Sequence, residues 1–411
     1  MIKSFHLVSK THLPNARKYS IIVGMKQTVT LCVTCAFGIE AVTMRELNRL
    51  GFLDVKAENG KIVFPARVQD IALLNLYLRT ANKVFIVLGN FTATTFDELF
   101  EGVKAIPLEY YIPWNAQMPV SGKAVKSTLF AYSACQKIIK KAICARLMEK
   151  TGKKVLPETG ARYDIEFFLY KNEGMLCLNT SGEGLHRRGY RTLVGEAPLK
   201  ETLASAMLSL SVWNPDKTLV DPFCGSGTIP IEAALIAKNV PAGYFRTFDF
   251  LSWGEEFARP FALLKEKAES EIKKDREISV QGYDINPAQI ALARAHAKAA
   301  GIANAIHLQT RDMREFSSRA RYGVIVTNPP YGERLLKDAE ISTLMRDYGK
   351  MFSDLPDWSA YTLTSYADFE RDFGRKSAKR RKLFNGNLEC VFHQMPGNPP
   401  PKRPREGQKE E

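Results

Sequence analysis

From Thr28 to Thr34 apolar and polar residues alternate, the period of a strand with one buried face, and Ile39–Leu50 then repeats apolar positions at helical spacing before Gly51. Strand-like stretches recur at Lys61–Phe64 and Val84–Leu88, with helical stretches between them. Residues 133–150 read as a strongly basic helix that sets Lys137, Lys140 and Lys141 on one face at i, i+3 and i+4. Strands near 163–170 and 174–179 complete this half. It reads as α+β, in two small lobes.

After Gly195 the pattern becomes a regular alternation. Strands are expected at 217–221, 278–284, 305–309, 322–327, 359–365, 380–384 and 388–394, with helices at 228–238, 287–300 and 339–352. Such alternation predicts a parallel sheet with crossover helices. The last two strands differ, because Asn385-Gly386 between two apolar runs is a strong hairpin signal. The expected fold class is therefore α/β: a Rossmann-like, doubly wound, mostly parallel sheet with an antiparallel terminal hairpin, preceded by an α+β region. The boundaries read from the chain are an extra N-terminal segment at 1–24, a first region at 25–185, a second domain at 186–395, and a charged, disordered tail at 396–411.

Composition narrows the partners. The 411 residues carry a formal net charge of +14, which favours a polyanionic partner such as nucleic acid. The seven scattered cysteines do not form a disulfide framework. Cys32 and Cys35 make a C-x-x-C inside a strand, but no second pair or nearby His completes a zinc site, so they read as structural and no metal is expected. No apolar run is long enough for a membrane span, and the chain reads as reduced, soluble and cytoplasmic. The first 24 residues contain no acid, and the strand–helix pattern starts only at Met25; a basic arm, a presequence-like stretch without a signal-peptide core, and a start placed upstream of Met25 are the readings this segment admits.

Candidate chemistry gathers at strand ends. Asp221-Pro222-Phe223-Cys224-Gly225-Ser226-Gly227-Thr228 follows a strand and opens a helix, so backbone can approach a ligand at the two glycines. Pro230 replaces the third glycine of a dinucleotide fingerprint, and the next strand-end acid, Asp284, comes only after an insertion at 239–279. Nicotinamide cofactors are thereby disfavoured, whereas a strand-end carboxylate still suits ribose hydroxyls. Asp312 ends the third strand and Asn328 the fourth. A lone strand-end Asp is more often a helix cap; the ordered recurrence of four such sites is what points to a ligand.

Asp221–Thr228 resembles the first motif of class I S-adenosylmethionine-dependent methyltransferases. Asn328-Pro329-Pro330-Tyr331 resembles the motif of those acting on planar amines. The chain from Met25 to about Gln394 resembles the THUMP-containing RNA guanine-N2 methyltransferases of the 23S rRNA and tRNA type. That likeness is carried by Cys35–Ala41, Leu78–Val84, Pro119–Lys123 with Ser127-Thr128, Leu185–Arg191, Ala197–Glu201 and Arg381–Gly386. Phe384 departs from it, standing where relatives often carry Tyr. The resemblance implies a ferredoxin-like and THUMP RNA-binding region before the methyltransferase domain. It implies that Gly225 and Gly227 line the methionine part of S-adenosylmethionine with support from Asp221, that Asp284 binds the ribose, and that Asp312 binds the adenine amine. It also implies that Asn328 and the Pro329 carbonyl hold the target amine while Tyr331 stacks on the base, with Pro330 stiffening the turn.

A guanine N2 amine is a poor nucleophile, because its lone pair is delocalised into the ring. Two fixed acceptors taking its N–H groups pyramidalise the nitrogen and aim the lone pair at a methyl donor, with no metal or covalent nucleophile. The RNA contacts expected are Lys123, Lys126, Lys137 and Lys140 in the first half, Arg187, Arg188 and Arg191 between the halves, and Arg381 in the basic run 371–382. The function expected is methylation of a guanine N2 in 23S rRNA. A tRNA guanine, an adenine N6 or cytosine N4, and a non-catalytic RNA-binding role stand as alternatives.

Overall fold

The computed structural model describes residues 28–53, 55–191, 199–330 and 338–399. Strands β1 (Thr28–Cys35), β2 (Ala57–Glu58), β3 (Lys61–Arg67), β4 (Ala81–Thr92), β5 (Val120–Val125), β6 (Ile165–Tyr170) and β7 (Glu173–Asn179) form one sheet in the order β2-β3-β1-β4-β7-β6-β5. The two expected lobes are therefore one continuous sheet. Twelve-residue β4 is the reason: it pairs with β1 through its first half and with β7 along most of its length. Helices α1 (Glu40–Arg49), α2 (Asp70–Tyr77), α3 (Phe96–Ala105) and α4 (Tyr132–Thr151) accompany it. The alternation in β1 divides its cysteines. Cys32 joins a small core with Phe85 and Cys177, and Cys35, three residues on and hence on the opposite face, joins the core of the second sheet.

The second sheet comprises β8 (Leu219–Asp221), β9 (Val280–Asp284), β10 (His307–Thr310), β11 (Val324–Thr327), β12 (Ser359–Thr364), β13 (Lys379–Asn385) and β14 (Leu388–Met395), in the order β10-β9-β8-β11-β12-β14-β13. The five strands β8–β12 are parallel, and the β13–β14 hairpin adds to β12 antiparallel. Helix α5 (Glu201–Leu210) precedes β8, and α6 (Thr228–Ala237), α7 (Glu255–Ser270), α8 (Pro287–Ala299), α9 (Asp338–Ser353) and α10 (Phe369–Phe373) lie in the connections between these strands. The chain runs outward from β8 to β10 and then returns to place β11 on the other side of β8. The topological switch point, where open α/β sheets bind ligands, thus lies between β8 and β11.

Among the elements without a sequence signal, two have a clear physical reason. Strand β5 carries Gly122, a poor strand former, yet a Cβ there would lie 2.2 Å from the Phe167 carbonyl oxygen, so only glycine lets β5 and β6 approach. Helix α7 contains Pro260, which reads as a breaker. This insertion does not cover its own sheet. Phe248, Phe250, Trp253, Phe257 and Phe261 pack into the first sheet's core, where Trp253 stacks on Tyr163 at 4.8 Å. In return Ile39 and Val42 of the first region pack into the second sheet's core. Packing joins what chain order separates.

A buried polar cluster crosses the same junction. Arg188 is 1% exposed and donates to the backbone oxygens of Arg79 (2.6 Å) and Leu185 (2.9 Å) and to both carboxylate oxygens of Glu232 on α6 (3.3 Å each). Glu232 also accepts from Ser205 (2.6 Å) and Tyr190 (3.1 Å). Burial raises the carboxyl's pKa, but the attraction of Arg188 and Arg79 outweighs it and Glu232 is held below its ordinary value. Arg188 was expected on an RNA surface; the structure removes it from any such surface, because it is spent as the cation that neutralises Glu232.

Candidate active site

The switch point is built from short segments. Strand β8 ends at Asp221, which is buried and accepts from the Thr327 hydroxyl across the switch point (2.6 Å) and from the Phe223 amide (3.2 Å). Burial pushes the Asp221 carboxyl up to about 7 against those two bonds, and nearby Asp284 adds repulsion. Thr327 gave no signal in the sequence beyond its place at a strand end.

The turn that follows is shaped for close approach. Gly225 and Gly227 have φ of +51° and +85°, angles that favour glycine. A Cβ on Gly227 would lie 2.9 Å from Ala293, so this glycine lets α6 start against α8. A Cβ on Gly225 would meet nothing within 4 Å; open space lies beside the turn where a ligand would run. Asp284, at the end of β9, holds the turn by accepting from the Gly225 amide (2.9 Å), while its other oxygen accepts from the Asn286 amide (2.8 Å). Burial raises its pKa against those two bonds. Asp312, after β10, caps a single helical turn through the Arg314 amide (2.9 Å) and pairs with the Arg314 guanidinium (2.8 Å). The cap role is therefore occupied as well as any ligand role.

Strand β11 delivers Asn328 beside this turn. Its side-chain oxygen is buried and, among the described residues, has no hydrogen-bond partner. Such an orphan acceptor costs about 1–3 kcal/mol. Pro329 is buried, Pro330 is half-buried, and Tyr331 lies outside the described residues. Asp221, Gly225, Gly227, Asp284 and Asn328 thus come together at one strand edge, and Asp312 stands at the next strand over. These residues fit S-adenosylmethionine: open space beside Gly225, carboxylates flanking it, and an unpaired acceptor beyond.

The expected RNA-contacting cations are placed unevenly. Lys123 and Lys126 are exposed on and after edge strand β5, and Lys137 is exposed on α4. Lys140 pairs with Glu158 at 2.5 Å and donates to the Met118 carbonyl. A cleft of about 1050 Å³ between α4 and β5 is lined by Lys137, Lys140, Lys141 and Arg162. Arg187 is exposed and paired with Glu183. Arg191 is only 14% exposed; it bonds the Thr228 hydroxyl at the start of α6 and pairs with Glu201 at 3.4 Å, so it too serves the interior. Arg381 is half-buried and donates to the Gly38 carbonyl in the first domain (3.1 Å). The sequence did contain a pointer to the Arg188 cluster: Glu232 is the single acid in the otherwise apolar helix Thr228–Ala237, and a lone buried carboxylate requires a cation.

Comparison with known proteins identifies this arrangement. Residues 188–394 match the model of the RMKL-like methyltransferase domain, 30–85 that of the RlmL ferredoxin-like domain, and 93–179 that of the THUMP domain. The chain belongs to the RMKL-like family of S-adenosylmethionine-dependent RNA methyltransferases with a THUMP domain. This methyltransferase is 43% identical to "Putative RNA methyltransferase YpsC" of Bacillus subtilis, over 89% of the chain and 95% of the relative. It is 32% identical to "Ribosomal RNA large subunit methyltransferase K/L" of Methylococcus capsulatus, over 89% of the chain but 51% of the relative. The chain therefore spans about half the length of the K/L relatives. Among solved structures, SMU.472, a putative methyltransferase complexed with SAH, superposes with a TM-score of 0.87 at 40% identity, over 92% of this chain and all of that one. Among the described residues no helix is long and apolar enough to cross a membrane.

Proposed function

We propose that this methyltransferase modifies the exocyclic N2 amine of a guanine in 23S rRNA, in the cytoplasm, with Asn328, Pro329, Pro330 and Tyr331 as its amine-binding turn. The observation that carries the reading is the buried oxygen of Asn328, partnerless among the described residues, beside the open Gly225 turn. An acceptor left unpaired in a folded protein is stabilised when a donor arrives, and an aromatic amine carries two. Asn328 and the Pro329 carbonyl each accept one amine N–H, which withdraws the nitrogen lone pair from the ring and fixes its direction. The two prolines hold both acceptors in place beforehand, so the rate arises from positioning and fixed dipoles. Gly225, Gly227 and Asp221 form the wall for the methionine part of the cofactor, with Asp284 toward the ribose and Asp312 toward the adenine. S-adenosylmethionine, when bound, supplies an electrophilic sulfonium methyl. The target nucleotide must leave its stack to enter the turn.

Mass-spectrometric mapping of RNA from a strain lacking the gene tests the reading. One N2-methylguanine is expected to vanish from 23S rRNA and return with the wild-type gene. Loss of a tRNA methyl, of an N6- or N4-methyl group, or of none at all would each replace the substrate assignment with the corresponding alternative.

A further inference from the structure

The register of the second sheet places an unassigned aromatic pair at its catalytic edge. Thr327 faces Thr362, so Asn328 is level with Leu363, which faces Phe392, which faces Arg381 on β13. Three strand spacings, about 14 Å, separate β11 from β13. Beyond Arg381 the strand rises past the edge, and Phe384 stands about 10 Å higher at the usual rise per residue.

The ring of Phe384 meets Phe37 edge-on, with centroids 6.4 Å apart and an interplanar angle of 69°. Phe37 comes from the β1–α1 loop of the first domain and is 56% exposed. The loop that carries it is fixed. Gly38, with φ of +90°, lies so close to β13 that a Cβ would sit 2.4 Å from the Lys382 carbonyl oxygen, its carbonyl accepts from Arg381, and its amide donates to Glu40. A large apolar ring held rigidly in water on an otherwise well-packed domain junction invites a flat partner.

The surroundings specify the partner's charge. Arg380 and Lys382 alternate onto the same face of β13 as Phe384, and Lys382 lies 5.5 Å from its ring centroid. Residues 371–382 hold seven basic residues and one acid. Lys382 pairs with Glu389 with both side chains more than half exposed, so a phosphate can replace that acid, while Arg380 is 67% exposed and only loosely paired, at 3.8 Å, with the mostly buried Glu370. Aromatic rings interleaved with exposed cations suit an unpaired nucleotide, whose base stacks while its phosphate is neutralised.

We propose that Phe37 and Phe384 form a stacking step, shared between the two domains, for an unpaired RNA nucleotide flanking the one delivered to Asn328. Arg381 acts through Gly38, as the brace that holds Phe37 beside Phe384. The inference rests on the RNA reading given above.

The test compares wild type, Phe37→Ala and Phe37→Trp in methyl transfer to deproteinised 23S rRNA from a strain lacking the gene, together with SAH affinity, melting temperature and binding of a labelled single-stranded oligoribonucleotide. Loss of one base–aromatic stack raises the RNA KM and the oligonucleotide Kd by roughly ten-fold in Phe37→Ala. SAH affinity and melting temperature stay unchanged, and Phe37→Trp restores both RNA constants. Unchanged RNA constants in Phe37→Ala, failure of Trp to restore them, or a loss explained by lower melting temperature or weaker SAH binding would each overturn the proposal. Absence of transfer by the wild type would refute the substrate reading instead, and the oligonucleotide measurement would still decide the role of Phe37.

Discussion

Replacing Asn328 by Ala separates stability from catalysis. The Asn328 side-chain oxygen is buried without a partner among the described residues, and an unsatisfied acceptor of this kind costs about 1–3 kcal/mol. Truncation removes that oxygen, and because the residue is only half-buried it leaves little cavity. For domains of this size about 1 kcal/mol corresponds to roughly 2–4 °C, so the variant should melt about 2–12 °C above wild type. On the proposed function the same change removes one of two preorganised acceptors for the target amine, and loss of one such hydrogen bond typically lowers turnover about 10²–10³-fold. SAH affinity should hold, since the Gly225 turn and Asp284 are untouched. Differential scanning calorimetry, SAH titration and single-turnover methyl transfer measure the three quantities. A variant that melts several degrees lower, or one that transfers methyl at the wild-type rate, refutes the reasoning: the first denies the orphan acceptor, the second its role.

Two further outcomes follow from buried charges. Arg188→Met strands Glu232 in the interior and should cost about 3–5 kcal/mol in denaturant unfolding, whereas Arg188→Met combined with Glu232→Met should recover much of the loss; equal destabilisation by both would deny the pairing. The folded-state pKa of Asp221, about 7, lies above its unfolded value near 4. Its contribution to stability is therefore full below about pH 4 and lost as pH rises through 7, and the stability of Asp221→Asn relative to wild type should grow by roughly 4 kcal/mol between pH 4 and 8. A constant difference across that range would mean that Asp221 ionises freely.

Much of the second domain was legible because parallel strands buried on both faces are short apolar runs, and each ended in a polar residue at the ligand edge. The Asn385-Gly386 turn gave the terminal hairpin directly, and β13 and β14 pair across it. Local pattern failed where a residue's partner lies far along the chain. Arg188 looked like a surface cation because Glu232, 44 positions on, is invisible to any window around it. The insertion was seen as an interruption, since Pro260 masks α7 and nothing local says that its aromatics belong to another sheet. Asp312 shows the converse: its position at a strand end was legible, but the Arg314 amide that it caps gives the same residue a structural use.

The exchange of side chains between the two layers has a bearing on how such enzymes can be rearranged. A piece cut at residue 186 would leave behind Tyr163 without Trp253 and carry off Phe248, Phe250 and Phe261 with no apolar surroundings, while the other half would lose the seat of Ile39 and Val42. The catalytic half is therefore not a portable cassette. Grafted onto another RNA-binding module, it would demand a substitute for the apolar surface that the missing sheet supplies.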